Sequence, residues 1–218
     1  MFSRFKSEID SYIVRDPAAK SRWDVVFSYP GFHAVFTYRL TNWLWRRGFQ
    51  FLARWISQIS RFFTGVEIHP GATIGEALFI DHGMGVVIGE TAKIGNNVTI
   101  YHGVTLGGVS AKPGIRHPQI GDNVIIGSGA ALLGAINVGN GARIGSNAVV
   151  VKDVPENATM VGVPARNVAE CKDGGEFTAY GISPDDLPDM VMKNFEELNK
   201  RIAELEAELK KTADSWKA

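Results

Sequence analysis

Five histidines, His33, His69, His82, His102 and His117, are the side chains of this 218-residue sequence best suited to proton transfer or metal binding, because imidazole titrates near neutral pH. Two of them stand apart. His82 lies in "FIDHGMGVVIGE" (79–90), between Asp81 and Gly83, and His117 lies between Arg116 and Pro118. Both interrupt a stretch that otherwise places an aliphatic residue at every sixth position. His33 falls among aromatic residues on a helical pattern, which suits a packed core histidine. His69 and His102 lie inside the six-residue repeat. Three histidines can hold a catalytic zinc, so the set 69, 82, 102 and 117 leaves a metal site open as an alternative.

Periodicity shows what must position these residues. Ile68, Ile74, Ile80 and Val86 form one six-residue series, Ile88, Ile94, Ile100 and Leu106 a second, and Ile120, Ile126, Leu132, Val138, Ile144 and Val150 a third. Gly follows several of them, as in "IGNNVT", "IGDNVI" and "VGNGAR". A period of six fits neither a helix nor an alternating strand. It is the period of hexapeptide β-helix repeats, in which each hexad supplies one short strand and one tight turn. The aliphatic points inward, Gly or Asn takes turn positions that need φ > 0, and stacked coils bury a continuous column. The register breaks twice, with a step of eight from Ile80 to Ile88 and of fourteen from Leu106 to Ile120. A step of twelve would keep phase in the second break, so two extra residues are expected there, or a turn replaced by an excursion. Insertions in a solenoid project from its surface and often carry function, and both of these carry a histidine.

Residues 1–64 read as a helical domain. In "GFHAVFTYRLTNWLWRRGFQFLARWISQISRFF" (31–63), Phe32, Val35, Phe36, Leu40, Trp43 and Leu44 recur at helical spacing before Gly48, and Phe51, Leu52, Trp55, Ile56, Ile59 and Phe63 after it. The spacing predicts two amphipathic helices packed by these faces on the rest of the chain, with a Trp- and Arg-rich membrane-surface helix as the alternative. Arg39, Arg46, Arg47, Arg54 and Arg61 break the apolar run too often for a membrane span. Residues 65–168 form the repeat. Residues 169–218 hold a loop with Gly174, Gly175, Gly181 and Pro184, then Val191, Phe195, Leu198, Ile202, Leu205 and Leu209, whose steps of four and three make a coiled-coil seam or a single amphipathic helix. The fold class is α+β: an N-terminal helical segment, a parallel β-helix and a C-terminal amphipathic helix.

Bulk properties exclude more than they assign. Apolar residues make up 45% of the chain, and Lys+Arg equals Asp+Glu at 23 each, so no global field recruits nucleic acid or an anionic membrane. The single cysteine, Cys171, excludes an internal disulfide and fits a reducing compartment. "MFSRFKSEID" carries charge where a secretory signal needs its apolar core, so a cytoplasmic protein is expected. The glycines serve hexad turns, and no P-loop or dinucleotide fingerprint is present.

Longer stretches carry a resemblance. "EIHPGATIGEALFIDHGMGVVIGETAKIGNNVTIYHGVTLGG", "RHPQIGDNVIIGSGAALLGAINVGNGARIGSNAVVVKDVP" and "VGVPAR" together resemble the serine O-acetyltransferases, which make O-acetylserine for cysteine synthesis, and "VRDPAAKSRWD" with "GFHAVFTYRLTNWLW" resembles their helical N-terminal part. The resemblance implies a left-handed parallel β-helix in a homotrimer, with active sites between neighbouring subunits and direct transfer of acetyl from acetyl-CoA to the hydroxyl of L-serine. His82 matches the general base. Imidazole suits that task, since a serine hydroxyl is a poor nucleophile at neutral pH and a positioned base contributes roughly 10²–10⁴ in rate. Glu67 matches the carboxylate partner that would fix the tautomer of the base, at a place where Asp is commonest in the family. Arg116 matches the clamp on the serine carboxylate, Asp16 and Asp81 the acids that hold its ammonium, and His117 the second histidine near the substrate.

For acetyl-CoA the matching positions are Gly108, Ser128, Ser146 and Thr159 along the pantetheine arm, with Arg143 and Arg166 near the nucleotide phosphates. Backbone amides of the "LGG" turn are candidates for the thioester oxyanion. No resident cofactor, metal or covalent acetyl-enzyme is implied, acetyl-CoA being a co-substrate, and Cys171 lies beyond the site segments. L-cysteine is expected as a feedback inhibitor in the serine site. The N-terminal part is shorter than in long members, whose extra helices join two trimers, so a trimer is expected and a hexamer stays open. The chain ends in Ala218 where partner-binding members end in Ile, so a complex with O-acetylserine sulfhydrylase is not expected. Acetyl transfer to a sugar or an antibiotic, a zinc hydratase and a non-enzymatic trimeric scaffold are the alternatives. The set Asp16, Asp81, Arg116 and His117 suits a zwitterionic amino acid better than a neutral sugar.

Overall fold

The computed structural model describes residues 2–170 and 199–205. Four helices come first: α1 (Phe2–Arg15), α2 (Arg22–Ser28), α3 (Pro30–Arg46) and α4 (Gln50–Thr64). The chain reverses between α3 and α4 at Gly48, whose φ of +88° is open to a residue without a Cβ.

Short strands follow at the six-residue period. β1 (Glu67–Ile68), β2 (Thr73–Ile74) and β3 (Phe79–Ile80) make the first coil, and β4 (Val87–Ile88), β5 (Lys93–Ile94) and β6 (Thr99–Ile100) the second. β7 (Thr105–Gly107), β8 (Gln119–Ile120) and β9 (Ile125–Ile126) make the third, and β10 (Ala131–Leu133), β11 (Asn137–Val138) and β12 (Arg143–Ile144) the fourth. β13 (Val149–Val150) begins a fifth, which ends in the antiparallel hairpin β14 (Ala158–Val161) and β15 (Arg166–Glu170). Equivalent strands stack into three sheets: A (β1-β4-β7-β10-β13), B (β2-β5-β8-β11) and C (β3-β6-β9-β12-β14-β15). These are the faces of a triangular prism. Its interior is the predicted aliphatic column, in which Ile88, Ile100, Leu106, Ile126, Leu132 and Ile144 are wholly buried.

Both register breaks fall at edges of the prism. Between sheets C and A the ordinary turn has four residues, Tyr101–Val104 or Gly127–Ala130, whereas the first coil uses six, Asp81–Val86. The step of eight is therefore a two-residue insertion in one turn. The second break differs from expectation. β7 in sheet A is followed directly by β8 in sheet B, so no turn is lost, and a step of fourteen in place of six puts eight extra residues into a single edge loop. Strand stacking continues unbroken above and below it, because side chains at an edge point away from the column and leave it undisturbed.

The helices close the open end of this stack. Along each parallel strand alternate peptide groups face the next coil, as the Glu67 amide bonds to Val86 O, which leaves first-coil carbonyls that face the open end, such as Ile68 O and Ile74 O, without a β partner. Side chains from α3 and α4 take them. Ser57 Oγ donates to Ile68 O (2.9 Å), Asn42 Nδ2 to Pro70 O (2.8 Å), Tyr38 Oη to Ala72 O (2.7 Å) and Arg39 Nη1 to Ile74 O (2.7 Å). Buried Glu8 of α1 holds the Arg39 guanidinium at 2.7 Å.

This capping corrects the expected packing of the helices. Their spacing is helical as predicted, but α4 turns Ala53, Ser57 and Thr64 inward, while Phe51 (86% exposed), Trp55 (59%) and Phe63 (78%) face outward. Phe36, Leu40 and Trp43 of α3 are likewise exposed, whereas Phe32 and Val35 of its predicted face are buried, Val35 against the aliphatic column. Orphan carbonyls need donors, so on α4 the polar and small-residue face wins the contact with the β-helix. No helix among the described residues is long and apolar enough to cross a membrane. Residues 199–205 are helical with Ile202 and Leu205 exposed. The rest of the predicted seam, Val191, Phe195, Leu198 and Leu209, lies outside the described residues, as does Cys171.

Replacing Arg39 by Leu removes a donor from two first-coil carbonyls and strands Glu8 as a buried charge. Chemical denaturation is expected to show a loss of about 2–4 kcal/mol, part of it recovered when Glu8→Gln is added. A loss that the second substitution deepens would contradict the capping role.

Candidate active site

Two groups of polar side chains form, one at each edge of sheet A. The first lies on the edge between sheets C and A. The two-residue insertion puts His82 at φ +57°, a left-handed conformation that turns its ring out of the coil, and the side chain is 68% exposed. Its Nε2 lies 3.8 Å from Asp81 Oδ2, an electrostatic approach too long for a hydrogen bond. Burial raises the Asp81 carboxyl above its ordinary value, and Asp16 raises it further, against the lowering effects of His82 and His102. Asp16 is itself fixed by the Ala18 amide (2.8 Å) and by the Tyr29 hydroxyl (2.6 Å). Burial, then the hydrogen bond to Asp16, push the Tyr29 hydroxyl up, which keeps it a donor. Gly31 allows the start of α3 to touch the backbone of Ile80, since an added Cβ would lie 2.2 Å from Ile80 O. The helices thereby reach Asp81, and Arg15 clamps the end of α1 by donating to Val98 O (3.1 Å) and Asn97 Oδ1.

The second group lies on the edge between sheets A and B, where the eight-residue insertion returns to the stack at Arg116 and His117. Arg116 Nη2 bonds to Glu90 Oε2 at 2.7 Å, and that bond, ahead of burial, holds the Glu90 carboxyl below its usual range. Thr91 organises the histidine. Its hydroxyl oxygen accepts the amides of Arg116 (3.0 Å) and His117 (3.2 Å), while its own amide donates to His117 Nδ1 at 3.2 Å. The Thr91 hydroxyl proton also faces Nδ1, at 2.8 Å. With Nδ1 an acceptor, the ring proton of neutral His117 sits on Nε2, the tautomer these bonds assign. Burial, then the Arg116 charge, lower the pKa of His117 and keep it neutral. The ring fits only because residue 89 is Gly, where an added Cβ would lie 2.0 Å from His117 Cδ2.

Of the predicted residues, the structure brings Asp16, Asp81 and His82 together at one edge, and Gly108, Arg116 and His117 at the other, with Gly108 packed beside His117 Nε2. No hydrogen bond or ion pair among the described residues joins the two groups. Glu67, on β1, pairs with Arg61 at 3.1 Å, and among the described residues no hydrogen bond links it to His82. Ser128 and Ser146 continue the first edge in successive coils, with their hydroxyls 3.2 Å apart. Arg143 stands beside Thr159 in the register of β12 and β14, and Arg166 opposite Val161 in the closing hairpin. Neither arginine has an ion-pair partner among the described residues.

Gly89, Glu90, Thr91 and Tyr29 were not singled out by sequence. "IGET" reads like any other hexad turn, and its role shows only once the long loop folds back on it. His33 is a structural histidine as expected, bonded through Nε2 to Val26 O at 2.6 Å. His69 also has a structural place. Its Nδ1 accepts the Gly71 amide at 2.9 Å, its ring meets Trp45 edge-on, and burial lowers its pKa to about 4. The four histidines of the metal alternative are therefore split, His82 and His102 on one edge and His69 and His117 on the other. No group of three or more metal-ligating side chains occurs among the described residues.

Thr91→Val removes a hydrogen bond that favours neutral His117, so its pKa is expected to move up toward the ordinary value. Because the folded-state value is depressed, the unfolded chain binds this proton first as pH falls, and stability drops below about pH 6.5. The variant should show a smaller drop. NMR titration of the ring checks both statements. An Nδ1-protonated wild-type ring, or an unchanged titration in the variant, would contradict the network.

A model of the bacterial transferase hexapeptide (six repeats) matches residues 117–152. Serine acetyltransferase of Bacillus subtilis (strain 168) is 51% identical over 208 residues, covering 95% of this chain and 94% of that one. The crystal structure of Neisseria gonorrhoeae serine acetyltransferase in complex with serine superposes with a TM-score of 0.75 at 43% identity, over 77% of this chain and 69% of that one. A serine acetyltransferase in complex with cysteine gives a TM-score of 0.76 at 42% identity, over 77% and 65%. Identity of one residue in two across nearly the whole of both chains, on the same left-handed β-helical fold, is decisive: the chain belongs to the serine acetyltransferase family.

Proposed function

We propose that this protein transfers the acetyl group of acetyl-CoA to the hydroxyl of L-serine, giving O-acetyl-L-serine and CoA, with His82 as general base. The observation that carries this reading is the Asp81–His82 pair, turned outward by a two-residue insertion beside Asp16 in a chain of this family. A relative binds serine. The first edge carries two carboxylates suited to an ammonium group, and the second carries the Arg116 guanidinium suited to a carboxylate. His82 takes the hydroxyl proton as the serine oxygen attacks the thioester carbonyl. The C–S bond then breaks, and the proton passes from His82 to the departing thiolate. His117, neutral with its proton on Nε2, offers a donor rather than a second base.

The two groups sit on different edges of one prism, so a complete site needs a second copy. A three-fold homotrimer supplies it by placing the His82 edge of one chain against the Arg116 edge of its neighbour. Ser128, Ser146 and Thr159 would then follow the pantetheine arm, Gly108 would come from the neighbour, and Arg143 and Arg166, which have no ion-pair partner among the described residues, would meet the phosphates. Glu67 orients His82 in this reading only if it leaves Arg61. No resident cofactor or metal is required. L-cysteine, which a relative binds, shares the ammonium and carboxylate of serine and would compete for the same groups. Both substrates belong to the cytoplasm, which also suits a lone cysteine.

The test is steady-state thiol release from acetyl-CoA with L-serine, L-homoserine, galactose or no acceptor, in wild type and His82→Ala. Release should depend on serine and fall by at least about a hundredfold in the variant. Release indifferent to serine would favour the neutral-acceptor or scaffold alternatives, and an unimpaired variant would remove His82 from the reaction.

A further inference from the structure

Asp16 and Asp81 lie close enough for the charge of one to raise the carboxyl of the other, and neither has a Lys or Arg partner among the described residues. Arg15, next to Asp16 in the chain, turns away. It donates to Val98 O (3.1 Å) and Asn97 Oδ1, and its guanidinium lies 5.8 Å from the centre of the Phe79 ring. The two acids repel one another, so Asp16 needs a hold that leaves its charge uncancelled. Neutral donors supply it: the Ala18 amide reaches Oδ1 at 2.8 Å and the Tyr29 hydroxyl reaches Oδ2 at 2.6 Å. Tyr29 is well fixed for this task. It sits between α2 and α3 with Pro30 after it, which favours its extended backbone (φ −99°, ψ 103°). Its ring meets that of Tyr12 edge-on, with centroids 5.8 Å apart. Tyr12 is buried, and its hydroxyl accepts the amide of Ile80, the residue before Asp81, at 3.3 Å. The tyrosine pair thus ties both acids to one frame.

We propose that Tyr29 is a positioning residue for the amino group of the acceptor, holding the Asp16 carboxylate beside Asp81 so that both acids meet one ammonium, an inference that rests on Asp16 and Asp81 holding the serine ammonium. Tyr29 acts through Asp16 and exchanges no proton with the reactants. A cationic donor in its place would cancel the charge that the ammonium needs, whereas a neutral hydroxyl orients the carboxylate and leaves it charged. Without that hydroxyl, Asp16 relieves its repulsion from Asp81 by swinging away, and an arriving ammonium has to draw it back. Affinity for the amino acid then falls, while the acetyl transfer that follows binding keeps its rate.

Steady-state kinetics of wild type, Tyr29→Phe, Asp16→Ala and the double variant, with thermal unfolding of each, test the proposal. Tyr29→Phe keeps the ring against Tyr12 and removes the hydroxyl alone. It is expected to raise KM for L-serine roughly 5- to 50-fold, with kcat and KM for acetyl-CoA changed by less than about twofold. Once Asp16 is gone the hydroxyl has nothing to hold, so adding Tyr29→Phe to Asp16→Ala should change kcat/KM for serine by less than about twofold. An unchanged KM for serine in Tyr29→Phe, an equal rise in KM for acetyl-CoA, a loss confined to kcat, or a full-sized effect that persists without Asp16 would overturn it. If Tyr29→Phe does not fold, Tyr29→His, whose ring is too short to reach Asp16 as the phenol does, is judged by the same KM-against-kcat split and the same cycle. Failure of the underlying reading looks different, because Asp16→Ala would then leave KM for serine unchanged, or wild type would release thiol without regard to serine.

Discussion

Each coil has to return the chain to the same buried aliphatic column six residues later. That constraint leaves only the prism edges free to vary, because a residue added within a strand would turn every following side chain to the wrong face. The molecule adds two residues at one edge and eight at another, and the column from Ile68 to Val150 runs on undisturbed. Chemistry enters where the repeat can tolerate interruption. The short insertion drives His82 into a left-handed turn and out of the coil. The long one is anchored at its far end by Thr91, so that Arg116 and His117 are held in place although the loop before them is exposed.

A stack of coils also has ends, and the helical region makes sense as the answer to one of them. The first coil offers carbonyls without β partners, and α3 and α4 meet them with hydroxyl, amide and guanidinium donors. The same docking reaches the edge that carries Asp81 and His82. Gly31 brings α3 against Ile80, and α1 delivers Asp16 to Asp81 while Arg15 binds the second coil. Closing the solenoid and bringing Asp16 beside Asp81 are thus one packing event.

The β-helix was legible in sequence because its period is long and repeated, and His82 and His117 because each breaks it. The length of a break did not reveal its shape. Fourteen residues from Leu106 to Ile120 suited a two-residue phase shift or a missing turn as well as an eight-residue loop, and only sheet pairing distinguishes them. The aromatic stripe of α4 was read correctly as helical and wrongly as its packing face, since hydropathy patterns carry no information about orphan carbonyls that need donors. Thr91 and Gly89 stayed hidden for a related reason. Their tasks depend on a loop more than twenty residues away in sequence, and as hexad residues they look like their neighbours. Glu67 was named through family resemblance alone, and its carboxylate is engaged by Arg61.

We propose that neither edge of a single prism forms a whole site and that a neighbouring copy completes it. Mixing two inactive chains tests this directly. His82→Ala and Arg116→Ala chains, unfolded together and reassembled, would share sites so that some junctions join an intact His82 edge to an intact Arg116 edge. Random three-fold assembly makes about one junction in four of that kind, so serine-dependent thiol release approaching a quarter of the wild-type rate is expected. A mixture no more active than its two components reassembled separately would place both groups in one chain's own site and contradict the account.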